Sequence, residues 1–276
     1  MSGREGSPVF AEAPKRVVLI TGAAGILGNR FAAAFAAEGA NLILVDIDEA
    51  RVIELAARLT ADIGIEAIGL ACDITNPEAI DRMIGAAIIR FGHIDVLVNN
   101  AATKGRDVRA FFTPFEDYSL DIWREIMSVN IDGMFLMSQR VGREMVARGK
   151  GGAIIQMSSI YGIVAPDQRI YEGSDYLGGP INTPAVYSTS KAAVIGLTKY
   201  LATYWGHAGI RVNCIAPGGV SSGQNTVFSN RYSSRVPLGR MAGGDEIASA
   251  AVYLASPAAS YVTGQVLAVD GGLSAW

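Results

Sequence analysis

The feature that most constrains this chain is the alternation of short, continuous apolar runs with helical patterns along nearly its whole length. Residues 16–21 (RVVLIT), 41–46 (NLILVD), 67–73, 94–99 (IDVLVN), 153–158 (AIIQMS), 210–216 (IRVNCIA) and 266–270 (VLAVD) read as strands. Between them the pattern predicts helices over 29–38, from about 49, after Pro77, over 120–147 and over 185–207. A strand that is apolar at nearly every position, rather than at alternate ones, must be covered on both faces, and helical crossovers do this for a parallel sheet. The expected fold class is α/β, one doubly wound domain with a seven-stranded parallel sheet. Ligands of such sheets gather at the carboxyl ends of the strands, near the point where the winding reverses.

Charge and composition narrow the partners. The 23 basic and 26 acidic side chains leave a formal net charge of −3, which gives no global attraction to nucleic acid or to an anionic membrane. No apolar run reaches the length of a membrane span. Residues 1–14 mix Gly, Ser, Pro and charges without a signal-like apolar stretch. They read as a flexible extension ahead of a cytoplasmic domain over 15–276. Cys72 and Cys214 form no CxxC pair and read as buried, reduced thiols. With His93 and His207 the only histidines, no metal site is expected.

Thr21-Gly22-Ala23-Ala24-Gly25-Ile26-Leu27-Gly28 joins the first strand to the first helix. Glycines here let the backbone turn tightly and approach a pyrophosphate, while the helix start offers unpaired N–H groups and a positive dipole end. This makes the fold Rossmann-like. Asp46 ends the second strand, where a carboxylate accepts hydrogen bonds from a ribose diol and repels a 2′-phosphate, so NAD is expected over NADP. Asp48 is better placed to cap the next helix. Further on, Tyr187-Ser188-Thr189-Ser190-Lys191 opens the long helix after the fifth strand. Residues four apart share a helical face, so phenol and ammonium address one site. A phenol with its usual pKa of about 10 needs such a cation to act as a base near neutrality. Ser159, at the end of the fifth strand, can hydrogen-bond a substrate oxygen.

Taken in order, these motifs resemble the short-chain dehydrogenase/reductase family from about Lys15 to Gly272. The likeness rests on Thr21 to Gly28, Asp73, Asn99-Asn100-Ala101-Ala102, Val129-Asn130, Ser159, Tyr187 with Lys191, Pro217-Gly218, Val262-Thr263-Gly264-Gln265 and Asp270-Gly271-Gly272. The resemblance implies Tyr187 as general acid/base and Ser159 as substrate-positioning hydroxyl. It implies Lys191 as the cation that lowers the Tyr187 pKa and holds the nicotinamide ribose, with Asn130 organising a water-linked proton relay to Lys191. It also implies cofactor contacts from Gly22, Gly25, Ile26, Leu27, Gly28 and Asp46, from Cys72, Asp73 and Ile74, from Asn99 and Ala101, and from Pro217, Gly218 and Val220. Tyr187 and Lys191 would touch the cofactor as well. The implied assembly is a homotetramer packed through the helices of 120–147 and 185–207.

Two departures from the family pattern shape the expected activity. The glycines follow TGxxGxxG, with Ile26 where the usual dehydrogenase form has its middle glycine. That spacing is more typical of the family's extended, epimerase-rich branch. Ser159 and Tyr187 are 28 residues apart, about twice the family's usual separation. The extra segment, about 166–184, carries Asp167, Arg169, Tyr171, Glu172, Asp175, Tyr176 and Asn182, which suit a substrate-facing lid or equally a surface loop. The cationic segment 103–109 (TKGRDVR) reads as a solvated run or as an anion-binding loop. The expected function is hydride transfer between NAD(H) and a secondary alcohol or ketone of a small, polyhydroxylated, sugar-like substrate. A 3-oxoacyl thioester reductase and an NAD-dependent sugar epimerase are the alternatives.

Overall fold

The computed structural model describes residues 15–276; the expected N-terminal extension, residues 1–14, lies outside the described residues. The first half of the chain runs β1 (Val17–Thr21), α1 (Ile26–Ala37), β2 (Asn41–Asp46), α2 (Glu49–Ile63), β3 (Ala67–Ala71), α3 (Pro77–Phe91) and β4 (Val96–Asn99). A helical turn, α4 (Val108–Phe111), then leads into α5 (Leu120–Met127), α6 (Met134–Arg148) and β5 (Gly152–Met157). The segment expected as an insertion holds a small hairpin, β6 (Asp175–Tyr176) and β7 (Gly179–Pro180). After it come α7 (Ala185–Trp205), β8 (Ile210–Pro217), α8 (Thr226–Ser233), α9 (Gly244–Ala255) and β9 (Val266–Val269).

Seven strands form one parallel sheet in the order β3-β2-β1-β4-β5-β8-β9, the doubly wound α/β arrangement read from the apolar runs. The winding reverses between β1 and β4. Alternation along β1 separates the two cores, because successive side chains face opposite sides of the sheet. Val18 and Ile20 pack with Phe31 and Phe35 of α1, Leu55 of α2 and Ile247 of α9. Val17 and Leu19 pack instead with Ile80 of α3, Val141 of α6 and Trp205 of α7. Helices α6 and α7 approach closely because position 142 is glycine: a Cβ there would lie 2.2 Å from the Trp205 ring.

Helix ends follow local chemistry. Asp48 caps α2 by accepting from the Arg51 N–H at 3.1 Å, and Asn76 caps α3 by accepting from Ala79 at 3.0 Å. Three sequence expectations change. Helix α1 begins at Ile26 rather than 29, so the last three residues of the glycine loop are themselves helical. The helix expected over 120–147 is broken into α5 and α6 by a π-helical turn, Ser128–Gly133. A π turn accommodates one extra residue, and here it carries the buried Asn130 and brings Gly133 so close to Ile74 that a Cβ would meet its side chain at 2.7 Å. Helices α8 and α9 were not anticipated. The first is short and polar, and the second starts behind Gly243, whose N–H donates to Glu246 at 2.8 Å.

Candidate active site

A cleft of about 1170 Å³ runs along the carboxyl ends of β1, β2, β4, β5 and β8, across the reversal point. At one end stands the glycine loop. Gly22 has φ +63°, and a Cβ on it would lie 2.8 Å from the Ala101 Cα; a Cβ on Gly28 would lie 2.0 Å from the Gly22 carbonyl oxygen. The loop is therefore folded tightly on itself and against the end of β4. Asn29 donates to the carbonyls of Ala23 and Gly25, and Asn100 donates to those of Thr21 and Gly22, which fixes the curve from both sides. No side chain caps the start of α1 and no acidic residue sits in its first turn, so its N-terminal amides keep their donor capacity for an anion. These features fit a dinucleotide pyrophosphate. Ile26, in place of the usual middle glycine, is 61% exposed at the cleft edge, where its side chain leaves the loop intact.

Asp46 lies on the cleft wall with its carboxylate accepting from the N–H groups of Ala24 at 2.9 Å and Asp48 at 3.2 Å. Arg51 also lines this end and donates to the Ala24 carbonyl at 2.7 Å. Arg51 reaches the site through the first turn of α2. Cys72, Asp73 and Ile74 border the same wall, as do Gly22, Gly25, Leu27, Ala101, Pro217, Gly218 and Val220. Gly28 lies beneath, inside the loop's curve.

Asn99 departs from its expected role. Its side chain turns into the core, donating to Ser138 Oγ and to Gln156 Oε1, each at 2.9 Å, and it is 1% exposed. Its neighbour Asn100 lines the cleft instead. The doublet was visible in the sequence; which member faced out depended on the strand's pleat.

The chemistry-bearing side chains meet at the other end. Ser159 is buried at the close of β5 with its Oγ accepting from the Tyr161 N–H at 3.2 Å, and its hydroxyl also hydrogen-bonds Tyr187. The turn Ile160–Gly162 presses on α7 because Gly162 lacks a side chain: a Cβ there would lie 2.7 Å from the Lys191 backbone. Ser158 Oγ donates to the Lys191 carbonyl at 2.6 Å and locks that contact. Lys191, 5% exposed, donates from Nζ to the Met157 carbonyl at 3.0 Å, with its ammonium 5.9 Å from the Tyr187 ring centre. Burial lowers its pKa to about 8.

Tyr187 lines the cleft four residues before Lys191. Burial pushes its pKa up, and the Ser159 hydrogen bond only partly offsets this. Asn130 is buried in the π turn. Its Oδ1 accepts from Thr103 at 2.9 Å and its Nδ2 donates to Ser190 Oγ at 3.4 Å, so its side chain braces the helix bearing Lys191.

The segment 166–184 roofs this end of the cleft. Tyr171 stacks on Phe228 of α8 at 5.3 Å, and its hydroxyl bonds those of Thr183 and Tyr161. Arg231 of α8 donates to the carbonyls of Arg169 and Glu172, and Arg235 pairs with Asp167 at 2.9 Å. Tyr232 accepts from the Gly219 N–H, tying α8 to the loop after β8. The roof and α8 are one interlocked unit. Tyr161 and Tyr232 were missed as site residues, because their convergence with Tyr171 of the expected lid segment is purely tertiary.

A glycine-loop cradle opening onto a Ser–Tyr–Lys set is the arrangement of a nucleotide-dependent oxidoreductase. The sequence profile described as enoyl-(acyl carrier protein) reductase matches residues 22–274. A D-threitol dehydrogenase from Mycolicibacterium smegmatis is 38% identical over 93% of this chain and 92% of its own. Among solved structures, a short-chain dehydrogenase from Leptospira borgpetersenii with bound NAD+ is 35% identical, with a TM-score of 0.81 over 94% of this chain and 93% of that one. A gluconate 5-dehydrogenase from Burkholderia cenocepacia, in complex with NADP and tartrate, is 32% identical, with a TM-score of 0.84 over 98% of both chains. The chain belongs to the short-chain dehydrogenase/reductase family, whose members use a nicotinamide cofactor.

Proposed function

We propose that this enzyme oxidises a secondary alcohol of a polyhydroxylated, sugar-like substrate with NAD, Tyr187 acting as the proton carrier. The observation that carries the reading is the convergence of Ser159, Tyr187 and Lys191 beneath a roof of hydroxyl- and amide-bearing side chains at one end of a dinucleotide-shaped cleft. Relatives that act on threitol and gluconate support the substrate class.

Bound nicotinamide supplies the hydride acceptor; the chain supplies position and proton handling. The Ser159 hydroxyl holds the substrate oxygen beside Tyr187. Tyr187 removes the alcohol proton in oxidation and returns it in reduction. At a pKa of about 8, Lys191 is still mostly a cation near neutrality and stabilises phenolate in a site that excludes water. Asn130, fixed to Thr103 and Ser190, ties the start of α7 to the loop after β4. Asp46, oriented by two backbone donors, accepts the adenosine ribose hydroxyls and disfavours a 2′-phosphate. Arg51 is tied to the Ala24 carbonyl beside it.

For the assembly we propose a homotetramer. Support comes from the apolar and aromatic side chains exposed on α6 and α7: Phe135, Val146 and the stacked pair Tyr200 and Tyr204. Two buried free thiols, Cys72 and Cys214, suit a cytoplasmic setting. No helix among the described residues is long and apolar enough to cross a membrane.

The test is NADH formation with NAD+ across a panel of polyols, sugar acids and simple secondary alcohols, with Tyr187→Phe as control. Turnover of a polyhydroxylated alcohol that disappears in the variant is the expected result. Turnover only of acyl thioesters in the reductive direction, or NAD that co-purifies and gives no net NADH, would replace the reading by the reductase or the epimerase.

A further inference from the structure

Segment 103–109 carries three cations, and the fold gives each a different task. Arg106 faces solvent, its side chain 98% exposed, 3.8 Å from Glu125. Arg109 is spent on the roof. It donates to the carbonyls of Tyr176 at 2.9 Å and Pro180 at 3.2 Å, and so holds both strands of the β6–β7 hairpin. A Cβ on Gly179 would lie 2.5 Å from its guanidinium, so a larger residue there would push the arginine aside.

Lys104 has no such partner. Its ammonium lies 5.9 Å from the ring centres of both Phe112 and Tyr176, and all three side chains line the active-site cleft. Among the described residues it forms no ion pair, although Asp175 borders the same cleft. Burial alone depresses its pKa, with no charged group contributing. Two aromatic faces orient a cation but leave much of its hydrogen-bonding capacity free. The backbone beneath it is firm: Thr103 donates its N–H to Asn130 at 2.9 Å, and the Gly105 N–H donates to Thr103 Oγ1 at 3.0 Å. The lysine is thus held at the substrate end of the cleft by the same residue that braces α7.

We propose that Lys104 recognises an oxyanion on the substrate, remote from the reacting carbon. The preferred substrates are then polyhydroxylated alcohols ending in a carboxylate or a phosphate, rather than neutral polyols. This rests on the polyol-oxidising reading of the same cleft and narrows it. An oxyanion gains a charge-assisted hydrogen bond from this ammonium at the cleft edge, a gain that a neutral hydroxyl cannot match.

The experiment compares a neutral polyol, the aldonic acid of the same chain length and the corresponding terminal phosphate, using wild-type enzyme, Lys104→Met and Lys104→Arg. Wild-type should prefer one of the two anionic substrates. Lys104→Met should lose about 10- to 100-fold in kcat/KM on it, the loss expected for a charged hydrogen bond, mainly through KM. The same variant should leave the neutral polyol almost unchanged, and Lys104→Arg should retain most of the preference. Which anion wins identifies the carboxylate or the phosphate. Wild-type preference for the neutral polyol, or equal loss on all three substrates in Lys104→Met, would overturn the assignment while leaving the polyol reading standing. Absence of turnover on all three would remove both.

Discussion

Replacing Lys191 with Met should make the protein more stable at neutral pH while abolishing turnover. The ammonium is 5% exposed, and burial holds its pKa at about 8 against an ordinary 10.5. A base whose folded pKa is lowered binds its proton more weakly in the native state than in the unfolded chain. Its destabilisation is therefore complete below about pH 8 and fades as pH rises toward the unfolded value. The shift corresponds to roughly 3 kcal/mol. Against this stands the Met157 carbonyl, which loses its donor at a cost of about 1 kcal/mol. Met, unbranched and adaptable, fills the space left by the lysine stem. The expected net gain is about 1–3 kcal/mol near pH 7, shrinking to near zero or reversing by about pH 10. Urea unfolding of wild-type and Lys191→Met, followed by circular dichroism at both pH values, measures it. A variant less stable than wild-type at neutral pH, or a difference that does not change with pH, would refute the reasoning.

Four other outcomes follow from the geometry. Gly28→Ala places a Cβ 2.0 Å from the Gly22 carbonyl; it should destabilise by about 1–3 kcal/mol and weaken cofactor binding in a fluorescence titration. Asp46→Ser removes the carboxylate beside Arg51, and the ratio of kcat/KM values for NAD and NADP should move about tenfold or more toward NADP. Arg109→Ala releases the hairpin carbonyls and should raise KM for a polyol, with thermal unfolding shifted by only a few degrees. Because burial raises the Tyr187 pKa, its basic form is scarce at neutrality, so kcat/KM for oxidation should climb as pH increases above 7 in a stopped-time assay.

The sheet was legible because strands such as residues 41–46 are apolar at almost every position, and only a doubly covered sheet explains that. The Tyr187 and Lys191 pair was legible because a spacing of four on a helix is local information, and Ser159 because it follows the fifth strand at its carboxyl end. What escaped the sequence depended on tertiary packing. Asn99 and Asn100 differ only in which face of the sheet they present, and burial with Ser138 and Gln156 decides it. A lysine four residues after Tyr187 was legible, but the burial that raises the phenol's pKa and lowers the ammonium's is set by packing. Arg51 and Tyr232 enter the cleft from α2 and from α8, and no spacing rule places them there. The roof itself was readable as extra length, but its lock onto α8 through Arg231 and Tyr171 was not.

The central claim is direct hydride transfer from a substrate alcohol carbon, with Tyr187 carrying the proton. Its most direct test is to incubate the enzyme with NAD+ and a polyhydroxylated alcohol deuterated at its secondary carbinol positions, then analyse the reduced cofactor by mass spectrometry. The account predicts NADH carrying one deuterium with the wild-type enzyme, and none formed by a folded Tyr187→Phe variant. Reduced cofactor without deuterium, or equal labelling by the variant, would contradict it.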